Sequence, residues 1–327
     1  MKYLVVVLAI MISLTTGFSQ TLSFKFGTPF RRTDLDIRWK VATNKIPNRV
    51  WVYRLLPNSF SPDTVSYLKS LGSFTDNDRR RSNAGGVLFA KAGSAKNLSI
   101  SFTIGAVEFQ SAKYYGPTNL AKNVPPMSEI PALTKGFLRE MGISVEDIVK
   151  QSDGAPEFHF SESATEYSAN HTLITNITFR SVSFRRAVDG ADWVGNNTGG
   201  DCHVEFGEYG RPATISLSWR KLERYKEYPI GTHSAIIDSI RRGKAVQNMI
   251  PMDADPINWA TVKSVTVMKA EICYYGGGPF APSDWLIPFV ALWTTVDRGN
   301  EKIDVEIDSP IIDQTTPPEK KINAKSS

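Results

Sequence analysis

Hydrophobic and polar positions along the chain follow two rhythms that alternate in blocks. Arg49-Val50-Trp51-Val52-Tyr53-Arg54-Leu55-Leu56 is β-branched and aromatic and stops at Pro57, which predicts a strand. Ser61-Pro62-Asp63 then supplies a capping hydroxyl, a proline for the first helical position and an acid for the positive end of the helix dipole. Val65, Leu68 and Leu71 continue at helical spacing until Gly72. Beyond a polar, arginine-rich loop, Gly86–Ala90, Leu98–Ile104 and Ala106–Gln110 predict a β-meander. A short strand at Leu22–Phe26 precedes this unit.

The same order recurs. The stretch 114–126 is rich in breakers (Gly116-Pro117, Asn119, Asn123, Pro125-Pro126) and reads as a connector. Ile130, Leu133, Phe137, Leu138 and Met141 share one side of a helix over Met127–Met141, ended by Gly142, and Ser144 opens one more short turn. Strands follow at Glu157–Phe160, Thr172–Arg186, Cys202–Phe206 and Ala213–Trp219. A third helix, over Thr232–Lys244, carries Ile236, Ile237 and Ile240 and ends in Arg241, Arg242 and Lys244. Strands at Val262–Tyr275, Trp285–Val296 and Lys302–Ile307 complete the pattern.

The repeated element is one helix followed by an antiparallel meander, so the expected fold class is α+β, with tandem helix-plus-meander units in two lobes. The expected organisation is a signal peptide over 1–19, an N-terminal α+β domain over 20–120, a C-terminal α+β domain of two units over 121–312, and a disordered tail over 313–327. The signal reading rests on Lys2, the apolar run from Leu4 to Ile12 extended by Leu14, and the small residues Gly17 and Ser19 before Gln20. That run is much shorter than the ~20 residues a spanning helix needs, so the mature chain is expected to be secreted or periplasmic, with no transmembrane anchor.

Composition refines this picture. The chain has 327 residues, 41% hydrophobic and 22% charged, which is ordinary for a folded globular protein and excludes wholesale disorder, collagen and coiled coil. The net charge of +5 is spread in short basic runs such as Arg79-Arg80-Arg81 and Arg185-Arg186, which read as solvated faces. A nucleic-acid partner would want a basic face interleaved with aromatics on a recognised motif. Export permits a disulfide between the two cysteines, Cys202 and Cys273, worth roughly 4 kcal/mol. Two buried free thiols are the alternative.

Chemistry is sparse. His159, His171, His203 and His233 form no metal-binding spacing, there is no glycine-flanked serine elbow, and no cofactor motif is present. Catalytic residues, metal and cofactor are each read as none. Glu205 and Glu208 flank a hairpin, and a glycosidase would need such a pair across a cleft. Asp304, Glu306 and Asp308 alternate with Ile303, Val305 and Ile307, which reads as the wet face of an edge strand. A calcium ladder there would need a contribution from a neighbouring strand. Asn97, Asn170, Asn176 and Asn196 fit the glycosylation sequon, which matters only in a eukaryotic host. The loop Gly276–Asp284, with Tyr274, Tyr275, Phe280 and Trp285, is the leading binding candidate, as aromatics beside a glycine-rich tip can form a platform for a sugar or peptide. Trp193, with Asn196 and Asn197, is a second.

Phe184-Arg185-Arg186-Ala187-Val188-Asp189-Gly190, Gly199-Gly200-Asp201-Cys202-His203-Val204-Glu205-Phe206-Gly207, Ser218-Trp219-Arg220-Lys221-Leu222, Arg242-Gly243-Lys244-Ala245 and Trp285-Leu286-Ile287-Pro288-Phe289-Val290 resemble the PepSY-like and YycH/YycI-type exported proteins of bacteria, over roughly residues 179–312. The resemblance implies small tandem α+β domains, of PepSY or cystatin-like form, that bind or restrain another protein outside the membrane. The regulatory members usually keep a membrane anchor, whereas this chain's leader reads as cleaved. The expected function is therefore a non-catalytic binding or regulatory protein acting on an envelope or secreted protein, or on a cell-wall glycan. A secreted hydrolase of glycan or peptide is the alternative.

Overall fold

A computed structural model describes residues 28–42, 46–58, 60–81, 85–91, 93–111, 119–169, 172–194, 200–249, 255–278 and 281–311. The leader, the strand expected at Leu22–Phe26, Asn170, His171, Asn196, Asn197, Phe280 and the tail from 313 lie outside the described residues. The first part of the chain forms β1 (Thr28–Pro29), β2 (Asp36–Trp39), β3 (Arg49–Leu56), α1 (Pro62–Gly72), β4 (Arg79–Arg81), β5 (Gly86–Ala90), β6 (Lys96–Ser101) and β7 (Ala106–Ser111). Next come α2 (Ile130–Met141), β8 (His159–Ala169), β9 (Thr172–Arg185), β10 (Ala187–Val188), β11 (Ala191–Val194), β12 (Gly200–Phe206) and β13 (Pro212–Trp219). The remainder forms β14 (Lys221–Pro229), α3 (His233–Arg241), β15 (Val246–Met249), β16 (Ser264–Gly278), β17 (Ala281–Asp297) and β18 (Lys302–Pro310).

Local signals act where they fall. The Ser61 hydroxyl accepts from the Thr64 N–H, Pro62 takes the first turn of α1, and the chain leaves the helix through Ser73 in the left-handed region. Gly142 closes α2 at φ 67°, and the Thr232 hydroxyl caps α3.

The strands do not assemble as tandem helix-plus-meander units, which corrects the expected fold class. They form two large sheets. Sheet one is antiparallel, in the order β4-β5-β6-β7-β13-β12-β9-β8. Leu68 from α1 and Phe137, Leu138 and Met141 from α2 pack on one face of it, against Phe89, Ile100, Phe109, Phe184, Val204 and Leu217. Sheet two has ten strands built around the long β16–β17 hairpin. Towards the open end, β2 joins β16 in parallel, while β18, β15 and β1 extend beyond β17. Ile236 and Ile240 of α3 pack there with Val290, Leu292, Val305 and Ile307. Towards the tip, β11 joins β16 in parallel at Cys273–Tyr275, and β3 pairs Trp285 and Leu286 before β14 pairs β3.

The reason for the difference is long-range pairing. Period-2 alternation marks a strand but not its partner. Val107 in β7 pairs with Leu217 in β13, and Arg54 in β3 with Glu223 in β14. Both sheets thus draw strands from either side of residue 120. Lys221–Pro229, with five charged residues, carries no apolar alternation and gives no strand signal, yet it forms β14.

Cys202 lies in sheet one and Cys273 in sheet two, and both are buried free thiols, so the disulfide alternative gives way to the unbridged one. The Asp304–Asp308 ladder also needs correction. β18 is not an edge strand, because β17 and β15 flank it. Asp304 is exposed and accepts from Thr295, whereas Asp308 is fully buried, so the face is not uniformly wet.

Candidate functional site

The interleaved topology makes the chain cross between the sheets. It passes from β3 to α1 between Asn58 and Ser61, from β9 to β10 at Arg186, and from β13 to β14 at Arg220. These three crossings converge on one cavity of about 380 Å³. That volume is within the range of small-molecule sites.

Its wall combines an apolar part (Phe60, Met141, Ile143, Leu217, Trp219 and Leu222) with Asn58, Ser61 and Thr64. Three cations complete it, Arg186, Arg220 and Lys221, and among the described residues no carboxylate lines it. Arg220 is 5% exposed, and one guanidinium nitrogen donates to the Leu55 carbonyl at 3.3 Å. Arg186 donates through Nη1 to the Arg220 carbonyl, while its Nε is buried with no acceptor. The Arg186 guanidinium lies 5.0 Å from the Trp219 ring centre and 5.7 Å from that of Trp193. Aromatic faces stabilise such a cation but do not neutralise it.

Neighbouring residues hold this frame. Asn58 donates from Nδ2 to the Trp219 carbonyl at 2.8 Å, and the Trp219 N–H donates to Gly105 at 2.8 Å. Gly105 sits at φ 60°, and a Cβ there would lie 2.7 Å from the Trp219 carbonyl oxygen, so only glycine lets the β6–β7 turn approach this closely. A Cβ at Gly200 would lie 2.6 Å from the Trp193 ring that supports Arg186.

Electrostatics single out the arginines. Burial pushes the pKa of both downward, opposed by the charges of Asp147 for Arg186 and Asp284 for Arg220. A guanidinium stays charged in a protein, so the shift records a desolvation cost rather than a neutral form. The helix terminus adds little: Pro62 has no N–H, and Ser61 already caps Thr64. The positive potential of the pocket therefore comes chiefly from the two arginines.

The residues singled out from sequence do not converge on one patch. Trp193 and Tyr274 are each 1% exposed and belong to a core with Tyr53, Leu55 and Leu286. Tyr275 is half-buried against the cluster of Cys273, Phe289 and Ala291. Trp285 is half-buried and meets Tyr225 edge-on at 4.8 Å, near the β14 edge. Burial raises the pKa of Cys202 and Cys273, which disfavours the thiolate and hence nucleophilic use.

The open face of sheet one carries a polar row. Ser183 Oγ is 2.8 Å from His203 Nδ1, and His203 Nε2 is 3.8 Å from Glu205. This order of groups belongs to serine hydrolases, but β9 and β12 are interior strands whose backbone N–H groups are committed to the ladder. Oxyanion donors aimed at Ser183 are thus missing from these strands. Glu205 has its pKa lowered, chiefly by the hydrogen bond from His203, and Glu208 accepts from the Lys122 N–H at 2.9 Å. Glu205 is thus not held in the protonated form that a general acid requires.

Sequence reasoning missed the arginine pair. Arg186 read as half of a solvated basic run. The available signal was Trp219-Arg220, an arginine directly after a strand-ending tryptophan.

No protein-family model matches the chain, and no curated protein matches it. Among solved structures, one match is the crystal structure of an uncharacterized protein from Eubacterium rectale ATCC 33656. It is 10% identical, covers 84% of this chain and 86% of that chain, and gives a TM-score of 0.44. That degree of likeness leaves function to be argued from the residues. No helix among the described residues is long and apolar enough to cross a membrane.

Proposed function

We propose that the protein is a non-catalytic binding protein, exported after removal of its leader, that takes up an acidic ligand, or an acidic group of an envelope or secreted partner, in the junction pocket. One observation carries this reading. Arg220, buried, and Arg186, half-buried, line a cavity of about 380 Å³ whose described wall contains no carboxylate. An anion entering that space offsets the desolvation of both guanidinium groups and gains charge-assisted hydrogen bonds.

Native mass spectrometry tests it. The purified chain is equilibrated with a mixed pool of small acids, neutral compounds and amines. The retained adducts are expected to be acids, and to be lost in Arg186→Met and Arg220→Met. Retention of neutral or basic compounds, or acid adducts that survive both substitutions, would contradict the reading.

A further inference from the structure

Resting on that reading of the pocket, we infer that its ligand class is a monocarboxylate on a compact apolar body, an aryl or short acyl acid, with Arg186 and Arg220 as the recognising groups. Three features support this. The wall is divided by chemistry: Phe60, Ile143, Leu217 and Leu222 offer apolar contact, while the two guanidinium groups offer N–H donors in planar forks. A carboxylate is planar and accepts from such forks in pairs. An apolar body covers the aliphatic and aromatic wall, which a bare phosphate or sulfate would leave wet.

Counter-charge points the same way. An amine ligand would face Arg186, Arg220 and Lys221 with no described acid in the wall to balance it. A dicarboxylate would bring its second charge against apolar side chains, where desolvation disfavours it. Arg186 is held by its stacking on Trp219 and Arg220 by the Leu55 carbonyl, so both are positioned before a ligand arrives.

Calorimetric titration of the full chain provides the test, using phenylacetate, phenylacetamide, phenethylamine and inorganic phosphate as probes. Phenylacetate is expected to bind at least about tenfold more tightly than the isosteric amide, the gap set by hydrogen bonds to a charged partner. Arg186→Met and Arg220→Met should each remove about that factor for the acid and leave the amide unchanged. Leu222→Trp, at a half-buried position of the wall, should weaken acid and amide alike. Circular dichroism confirms that each variant is folded, and Leu222→Trp tests the location even where an arginine variant does not fold. Equal binding of amide and acid would overturn the carboxylate inference while leaving the pocket as the ligand site. Phosphate binding more tightly than phenylacetate would overturn the apolar body. Binding of the acid that all three variants retain would overturn the site, and binding of no probe would overturn both this inference and the reading beneath it.

Discussion

Two regions of the molecule bury like charges, and they resolve the problem in opposite ways. At the junction, Arg186 and Arg220 line a cavity without a described acid in its wall. In sheet two, Asp308 is fully buried on β18 with both carboxyl oxygens lacking a hydrogen-bond partner, and Glu306 lies two residues away on the same face. Asn248 of β15 donates to Glu306 at 3.1 Å. The strand partners directly opposite Asp308 are Ala291 of β17 and Val246 of β15, which carry no charge. The thiol of Cys273 on β16 lies within reach of its charge and of those of Asp192, Glu271 and Glu306. Ionised, Asp308 would hold a buried negative charge with no donor to it, because the Asn248 amide is committed to Glu306. A proton on Asp308 removes that charge. Burial, then the charge of Glu306, push its pKa up to about 8. An arginine cannot escape by losing its proton; an aspartate can. The basic cluster has room beside it for a counter-ion, whereas Asp308 is closed to solvent.

The largest expected effect follows from this proton. Asp308 has an ordinary value near 3.8 when unfolded and about 8 when folded. Its contribution to stability is therefore full below about pH 4 and is lost as pH rises to about 8, because the unfolded state gives up its proton first. Asp192, pushed up to about 6 by burial in spite of Arg185 at 2.8 Å, acts with the same sign. Urea unfolding should show the chain less stable at pH 8.5 than at pH 5.5 by about 4 kcal/mol from these groups. Asp308→Asn, which keeps a donor and removes the charge, should flatten most of that slope and exceed the wild type at pH 8.5. A slope that the Asp308→Asn substitution leaves intact would place the titrating group elsewhere.

Glu306→Gln sharpens the cause. Burial outranks Glu306 in raising Asp308, so the slope should shrink by about 1 kcal/mol and not vanish. The arginines should behave differently. Replacing a buried charge by an apolar side chain of similar volume is close to neutral, so Arg220→Met should change stability by about 1 kcal/mol or less in either direction. A loss above about 3 kcal/mol would make Arg220 a structural clamp on the Leu55 carbonyl first. The smallest effect concerns the thiols: a reductant should shift Tm by less than about 1 °C, and neither thiol should react with a water-soluble disulfide reagent in the native state. A larger shift would reveal a bridge.

Local structure was legible in the sequence where its physics is local. The strand Arg49–Leu56 and the α1 cap at Ser61 fall where side-chain alternation and capping chemistry put them. Gly142 ends α2 for the same kind of reason. What alternation cannot report is the partner and the depth of a strand. It placed Asp308 on a face with Asp304 and Glu306, but not beneath the flanking β15 and β17 that remove it from water. It marked Tyr274 and Trp193 as aromatics near a hairpin, but their burial comes from the parallel pairing of β11 with β16. The pocket was invisible for a related reason. Asn58, Arg186 and Arg220 lie on three separate crossings between sheets, and only the assembled topology brings them together.

The most direct measurement is nuclear magnetic resonance of the arginine Nε–H groups in the full chain as phenylacetate is added. Two buried Nε–H signals, assigned through Arg186→Met and Arg220→Met, should shift together and saturate with one affinity, while those of exposed arginines such as Arg54 stay in place. If the acid leaves the Arg186 and Arg220 signals unmoved, the junction is a structural clamp and not a binding site.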